Sequence, residues 1–324
     1  MKKWIAILVC FALTLCALSG CGSGSEPQLT EGAKPKIIAT IFPQYDWVRQ
    51  ILGEHIDEFE LTLLLDNGAD LHSYQPTAED MVKVSTCDMF IYVGGESDEW
   101  VDDALGEAVN PKMVVIDLLD VLGDRVKEEE NVEGMQGEED ADEEEAEYDE
   151  HVWLSLRNAA ILCDYIAGRL GEMDSANKET YAANAAAYME KLNTLDEAYQ
   201  TAVSAAPVKT LLFGDRFPFR YLADDYGLDY YAAFSGCSAE TEASFETVVF
   251  LANKVDELGL STVLTIENSD GKIARTIVES TKSKDARILQ MDSLQSATAW
   301  GVSGGPTYLN TMERNLEILK QALQ

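Results

Sequence analysis

The amino-acid sequence predicts an α/β protein made of two Rossmann-like lobes with parallel sheets, joined by one long rigid α-helix. Short apolar runs alternate with helical patterns early in the chain, and the same alternation returns near its end. Between the two blocks lies a long stretch without Pro or Gly, which favours a helix. Runs that are apolar throughout are typical of strands buried on both faces, so each block predicts a parallel sheet.

The apolar runs and helical patterns define the individual elements. The first block predicts strands at 37–42, 59–65, 89–93 and 113–118, with helices at 46–52, 77–84 and 98–105. The second predicts strands at 210–213, 229–232, 262–266 and 287–291, with helices near 217–226, 244–258 and 271–279. The stretch 176–204 predicts a linking helix about 40 Å long at 1.5 Å per residue, which Pro207 ends.

The chain of 324 residues is long enough for two lobes that each bury a core. We expect a lipoprotein signal peptide (1–20), a flexible tether (21–35), a first lobe (36–175), a linking helix (176–206) and a second lobe (207–324). Within the first lobe, residues 124–150 hold fifteen carboxylates against Arg125 and Lys127. Such a composition predicts a disordered acidic loop, which either collects cations or is a solvated spacer.

The charge of the chain restricts its partners. The formal net charge is −34, so nucleic acid and anionic lipid surfaces would repel the protein, and cations are favoured. Three cysteines lie outside the first 21 residues, too few for a paired disulfide framework: Cys87, Cys163 and Cys237.

The first residues predict export and a lipid anchor. Lys2 and Lys3 precede an uncharged apolar stretch over 4–18, which has the length of a secretory leader. The stretch ends in Leu18-Ser19-Gly20-Cys21, which resembles the lipobox of bacterial lipoproteins, and a Gly/Ser tether follows. We therefore expect an extracytoplasmic protein anchored to the bacterial membrane through lipidated Cys21.

Two of the three histidines lie in distinctive segments. His72 follows a predicted strand and precedes a helix that Thr77 can cap, which places it where ligands bind in open α/β sheets. Residues 68–77 read Gly-x-Asp-x-His-Ser-Tyr-x-Pro-Thr, and residues 149–159 carry His151 in Asp-Glu-His-Val-Trp-Leu-Ser-Leu-Arg-Asn-Ala. His55 lies in a polar turn, and we expect it to be exposed and without function.

Both histidine segments resemble the ligand motifs of the zinc and manganese ABC transporter substrate-binding lipoproteins, cluster A-I or solute-binding protein family 9. Residues 41–43 resemble the opening strand of that family, and residues 181–184 the start of its linking helix. The resemblance implies capture of one Zn²⁺ or Mn²⁺ outside the membrane by a monomer, which delivers the ion to an ABC permease and its ATPase. It also implies that His72 and His151 are metal ligands.

The second lobe departs from the zinc-type pattern. Gly214 stands where zinc-type members place a third histidine, while Ser238-Ala239-Glu240 and Met291-Asp292-Ser293 resemble the carboxylate segments of manganese-type members. The resemblance therefore implies His72, His151, Glu240 and Asp292 as the ligand set. Imidazole with carboxylate can hold either ion, so the ligand types do not name the metal.

Further candidates remain open. Cys237 lies beside a proposed ligand, where a thiolate would favour zinc, but we expect a spectator thiol. Glu242 and Glu267 are weaker carboxylate candidates, and solvated loop acids are the competing interpretation. Asp215 and Arg216 form either an outer pair that orients ligands or an ordinary ion pair.

Two other function classes compete with metal capture. A metallohydrolase also uses His and carboxylate ligands, but the chain has no His-Glu-x-x-His, so we expect no enzyme. A metal-dependent surface adhesin is the second alternative, although no exposed repeat indicates one. The chain has no Gly-x-x-x-x-Gly-Lys-Ser/Thr motif, so a separate ATPase must drive transport.

The lipobox-like segment generates a testable prediction. The variant Cys21→Ala should leave the membrane fraction, because the lipid on this residue is expected to be the sole anchor. Fractionation of cell extracts prepared without detergent measures this. Retention of the variant with the membranes would show that the anchor assignment is wrong.

Overall fold

The fold contains two four-stranded parallel sheets, which confirms the predicted class. A computed structural model describes residues 34–66, 68–136, 147–238, 242–296 and 307–324. The strand order is β2-β1-β3-β4 in the first sheet and β6-β5-β7-β8 in the second. In each sheet the chain begins near the middle and crosses over through helices, as parallel pairing requires.

The first lobe is built from short strands and the helices that follow them. Its strands are β1 Lys36–Ala39, β2 Glu60–Leu63, β3 Met89–Tyr92 and β4 Val114–Asp117. Its helices are α1 Phe42–Leu52, α2 Ala78–Ser85, α3 Trp100–Gly106, α4 Leu118–Leu122 and α5 Leu156–Met173. Thr77 and Asp80 form a reciprocal capping box at the start of α2, as the sequence predicts.

The second lobe repeats the arrangement. Its strands are β5 Thr210–Phe217, β6 Asp229–Ser235, β7 Thr262–Thr265 and β8 Arg287–Gln290. Its helices are α7 Arg220–Tyr226, α8 Phe245–Leu258, α9 Lys272–Ser280 and α10 Tyr308–Ala322. Three of the described helices, α4, α5 and α10, were not predicted from the sequence.

The linking helix α6 spans Lys178–Ala205. Its buried residues recur every three or four positions, so one stripe faces the protein along the full length of the helix. The stripe is Tyr181, Ala185, Tyr188, Leu192, Leu195, Tyr199 and Val203. The helix packs mainly against α5 and also contacts α1 and α10, so it is supported along its length. In the described part of the chain, no helix is long and apolar enough to cross a membrane.

The two described ends of the acidic segment differ from the predicted disordered loop. Glu129 donates its amide to the carbonyl of Glu147 at 2.8 Å, so the two ends pair with each other. Gln136 donates its amide to the carbonyl of Ala233 at 2.9 Å, which attaches the segment to β6 of the second lobe. Backbone hydrogen bonding orders these ends despite their composition. The predicted signal peptide, most of the tether, Cys21 and Glu240 lie outside the described residues.

Buried hydrogen bonds join elements that are far apart in sequence. The indole nitrogen of Trp153 donates to the carbonyl of Ser293 at 2.7 Å. The hydroxyl of Tyr308 donates to the carbonyl of Trp153 at 2.6 Å, and the amide of Tyr308 donates to Asp46 Oδ2 at 3.0 Å. Trp153 and Tyr308 are fully buried, so water cannot replace these partners.

This arrangement predicts that Tyr308→Phe lowers the free energy of unfolding by about 1–3 kcal/mol, because the buried Trp153 carbonyl loses its hydroxyl partner. Chemical denaturation of the metal-free protein measures the change. Tyr165→Phe is the matched control, because Tyr165 is an exposed tyrosine and should change stability little. Equal stability of the two variants would contradict a role for the Tyr308 hydroxyl.

Candidate metal centre

His72 lies at the carboxyl end of the first sheet, in a short turn after β2. The turn, Leu71–Ser73, begins with Asp70, whose side chain accepts the amide of His72 at 3.1 Å. The ring nitrogen Nδ1 of His72 contacts Ser97 Oγ at 2.9 Å and Glu150 Oε2 at 3.5 Å. The imidazole is therefore oriented from one side, with its other nitrogen, Nε2, facing away from these oxygens.

His151 is fully buried just before α5. Asp149 Oδ1 accepts the amide of His151 at 2.9 Å and contacts its Nδ1 at 3.0 Å. Ser155 then caps α5 by accepting the amide of Asn158. The sequence order Asp-x-His thus supplies its own orienting carboxylate, which is the partner that metal-binding histidines usually have.

The two imidazoles meet through their Nε2 atoms. Nε2 of His72 lies 3.0 Å from Nε2 of His151, and the Nδ1 of each ring contacts an oxygen. One ligand atom each from His72, His151 and Cys237 lie within 4.8 Å of one another. Among the described residues this is the one such cluster of His, Cys, Asp and Glu side chains. The predicted pairing of the two histidines is therefore present in the fold.

The surroundings give the two rings opposite acid–base character. Burial, together with the nearby His151, lowers the pKa of His72 to about 3, so this ring is neutral. Burial alone would also lower the pKa of His151, but the carboxylates of Asp149 and Glu150 outweigh it and raise that pKa. Burial and the Glu129 carboxylate raise the pKa of the Cys237 thiol, which therefore keeps its proton when no cation is present.

Residues of the second lobe complete the surroundings of the histidine pair. Gln295 Oε1 lies 3.0 Å from His151 Nε2, and Gln295 Nε2 donates to Asp70 Oδ2 at 2.9 Å. Arg216 also donates to Asp70 Oδ2, at 2.6 Å, and so pairs with the turn that carries His72. Asp215 and Arg216 were considered as a pair; in the structure the guanidinium group of Arg216 pairs with Asp70, the residue that accepts the amide of His72. No sequence motif predicted that Gln295 and Ser97 would contact the histidines.

Two of the carboxylates predicted for the second lobe, Asp292 and Glu267, are described and are not part of the histidine and cysteine cluster. Asp292 Oδ1 accepts the amide of Leu294 at 2.9 Å, outside the histidine and cysteine cluster. Glu267 accepts the amide and the hydroxyl of Ser293, each at 2.6 Å, and burial with the nearby Asp292 raises its pKa to about 7. Glu240 lies outside the described residues, so the four-ligand set stays a prediction.

Two cavities have His72 in their walls. One, of about 300 Å³, is strongly acidic, which favours the approach of cations; it is lined by His72, Cys237, Ser97, Tyr148, Glu96, Glu99, Glu129, Glu147 and Glu150. The other, of about 750 Å³, includes Asp70, Arg216, Glu242 and Glu267 in its wall. The weaker candidates Glu242 and Glu267 therefore face a cavity next to His72 and are not part of the cluster itself.

Residues 37–322 match the sequence family described as ZnuA, zinc-uptake complex component A periplasmic. This chain belongs to the ZnuA family. Membership confirms the resemblance to the zinc and manganese substrate-binding proteins inferred from the two histidine segments. The family is described as a component of a zinc-uptake complex, so the chain belongs to a family of transport components and not to a family of enzymes, as predicted.

Two curated relatives of this ZnuA-family chain differ in length. The chain is 32% identical over 327 residues to the zinc-binding lipoprotein AdcA of Streptococcus pneumoniae (strain ATCC BAA-255 / R6), covering 99% of the chain and 61% of AdcA. It therefore spans less than two thirds of AdcA. It is 27% identical over 335 residues to the high-affinity zinc uptake system protein ZnuA of Bacillus subtilis (strain 168), covering 99% and 98%.

Solved structures share the fold. The Zn(II)-bound ZnuA-like domain of Streptococcus pneumoniae AdcA matches with a TM-score of 0.70 and 30% identity, covering 90% of this chain and 99% of that domain. The laminin-binding protein Lmb of Streptococcus agalactiae, described as having adhesin and metal transporting activity, matches with a TM-score of 0.71 and 26% identity, covering 90% and 100%.

The orienting role of Asp149 gives a testable prediction. Asp149→Ala should weaken zinc binding by about 10- to 100-fold, because His151 loses the oxygen that fixes its ring. Titration calorimetry with a competing chelator measures the dissociation constant. Asp102→Ala removes an exposed carboxylate from α3 and is the control for the change of charge. Identical effects of the two changes would indicate that Asp149 acts only through the overall charge.

Proposed function

We propose that this chain captures a divalent transition metal outside the cytoplasmic membrane and delivers it to a cognate ABC permease. The proposal is supported above all by the histidine pair, whose Nε2 atoms lie 3.0 Å apart while both Nδ1 atoms contact oxygens. Two nitrogens bound to one tetrahedral zinc at about 2.0–2.1 Å would lie about 3.3 Å apart. Binding would thus need a shift of the rings by only a few tenths of an ångström.

Zinc is the cargo that we propose, with manganese as the alternative. Imidazole nitrogen suits zinc, whereas manganese favours oxygen ligands and is the weakest binder in the first-row affinity order. The family description and the names of AdcA and the Bacillus subtilis relative refer to zinc. Carboxylates from the second lobe, such as Asp292 or Glu240, would favour manganese if they joined the histidines. Elemental analysis of the protein purified from its native host separates the two, because zinc binds more tightly than manganese to either ligand set and affinity in vitro does not identify the cargo.

Delivery requires partners that the chain does not contain. The family is a component of an uptake complex, which supports a membrane permease and a separate ATPase as the recipients of the ion. We propose that the protein acts as a monomer held at the membrane by a lipid on Cys21. The acidic surface, with a formal net charge of −34, suits a protein that meets free cations in the extracytoplasmic space.

Adhesion is the second candidate function, because the similar protein Lmb is described as both an adhesin and a metal transporter. Both functions are compatible with a bound metal, so metal binding alone does not separate them. Zinc accumulation does: cells that lack this protein should take up zinc slowly at low external concentration. Normal uptake by such cells, together with reduced binding to a host surface protein, would favour the adhesin.

The proposal predicts that His72→Ala and His151→Ala each weaken zinc binding by more than about 100-fold, a larger effect than partners outside the coordination sphere have. The third histidine provides a matched control. His55 pairs with Glu58 at 2.7 Å and packs edge-on against Tyr181, outside the cluster, so His55→Ala should leave zinc affinity unchanged. Direct titration tests all three variants. Retention of tight stoichiometric zinc binding in both cluster variants would refute the proposal.

A further inference from the structure

We infer that Cys237 is the third protein ligand of this site, so that the captured cation meets two imidazole nitrogens and one thiolate sulfur. The inference rests on the proposed function and specifies its chemistry. It is carried by the juxtaposition of the ligand atoms of His72, His151 and Cys237, which all lie within 4.8 Å of one another. From the sequence we expected a spectator thiol, although Cys237 lies three residues before the proposed ligand Glu240.

The backbone before Cys237 passes unusually close to His151. Strand β6 ends at Ser235, and a Cβ atom on Gly236 would lie 3.0 Å from His151 Cε1 and 3.0 Å from the carbonyl oxygen of Phe217. Both distances are tighter than ordinary van der Waals contacts, so the absence of a side chain at 236 lets the strand end reach the ring. The next residue, Cys237, therefore follows directly from a backbone position that lies against the imidazole of His151.

The chain on both sides of the sulfur is held in place. The amide of Cys237 donates to Glu129 Oε1 at 2.9 Å, a contact from the described end of the acidic segment. On the following residue, Arg216 donates to the carbonyl of Ser238 at 3.2 Å, and the same guanidinium group pairs with Asp70 beside His72. Arg216 thus holds both the segment that carries Cys237 and the turn that carries His72. This constrains the distance between the sulfur of Cys237 and the imidazole of His72.

The three cysteines of the described chain have different surroundings. Cys87 and Cys163 are fully buried in the hydrophobic core of the first lobe. Cys237 is partly exposed and lines the acidic cavity that also contains His72, so an incoming cation can reach it. A cysteine that served only in core packing would be expected in the core, where Cys87 and Cys163 lie.

A sulfur ligand would decide which cation the site holds. Two neutral imidazoles carry no charge, so a thiolate would supply the first negative charge to the dication, and the bound metal itself displaces the thiol proton. Thiolate favours zinc strongly over manganese, which prefers carboxylate and carbonyl oxygen. Cys237 would therefore make this site selective for zinc without the third histidine that Gly214 replaces.

Cobalt(II) substitution tests the inference on the unmodified protein. Cobalt bound by a thiolate shows sulfur-to-metal charge-transfer absorption in the near ultraviolet, whereas cobalt bound only by nitrogen and oxygen does not. We expect this absorption at one equivalent of cobalt, its loss in Cys237→Ser, and its retention in Cys87→Ala. Zinc affinity should fall by more than about 100-fold in Cys237→Ser, and manganese affinity by less than about tenfold. Circular dichroism confirms that each variant is folded.

The outcomes separate this inference from the function on which it rests. Stoichiometric cobalt and zinc binding without the absorption, and with unchanged zinc affinity in Cys237→Ser, would overturn Cys237 as a ligand and leave metal capture standing. Failure of the wild-type protein to bind either ion would overturn the proposed function together with the inference. A charge-transfer band that survives in Cys237→Ser would assign the sulfur to another residue and also overturn the inference.

Discussion

The 3.0 Å approach of two buried imidazole nitrogens is the contact on which the site depends. Two ring nitrogens can face each other only if a proton or a cation lies between them, because two lone pairs repel. The protein enforces this approach by placing oxygen atoms behind each ring: Ser97 Oγ and Glu150 Oε2 behind His72, and Asp149 Oδ1 behind His151. With both Nδ1 atoms engaged, neither ring can turn away without losing a buried hydrogen bond.

Several contacts bring the two lobes to this pair. Arg216 and Gln295 of the second lobe donate hydrogen bonds to Asp70 of the first lobe. Gln295 Oε1 also contacts His151 Nε2. Burial alone would raise the pKa of Asp70, but Arg216 outweighs it and lowers that pKa, so the carboxylate stays charged and the pair persists. Trp153 adds a buried hydrogen bond to the carbonyl of Ser293. The supported linking helix and these ties favour capture by small shifts of side chains at the lobe interface.

Ionisation of the buried carboxyl group beside the histidines is unfavourable. Burial raises the pKa of Glu150 to about 7, because a charged carboxylate is poorly solvated there. Its Oε2 atom has no hydrogen-bond partner, although it lies 3.5 Å from His72 Nδ1. Buried negative charge next to the neutral ring of His72 is unfavourable by itself and becomes favourable once a dication is bound. The same charges that destabilise the empty site therefore add to the affinity of the filled one.

The two sheets, the linking helix and both histidine segments could be predicted from the sequence, because these depend on local patterns. Apolar runs, the capping box at Thr77 and the order Asp-x-His act over a few residues, and the described elements follow them closely. The residues that surround the histidines could not be predicted in this way, because they come from distant parts of the chain. Gln295 lies 144 residues from His151 and Arg216 lies 146 residues from Asp70, and neither pairing has a local pattern. The closeness of Cys237 to the histidines and the order in the ends of the acidic segment likewise depend on contacts between lobes, which no periodicity along the chain records.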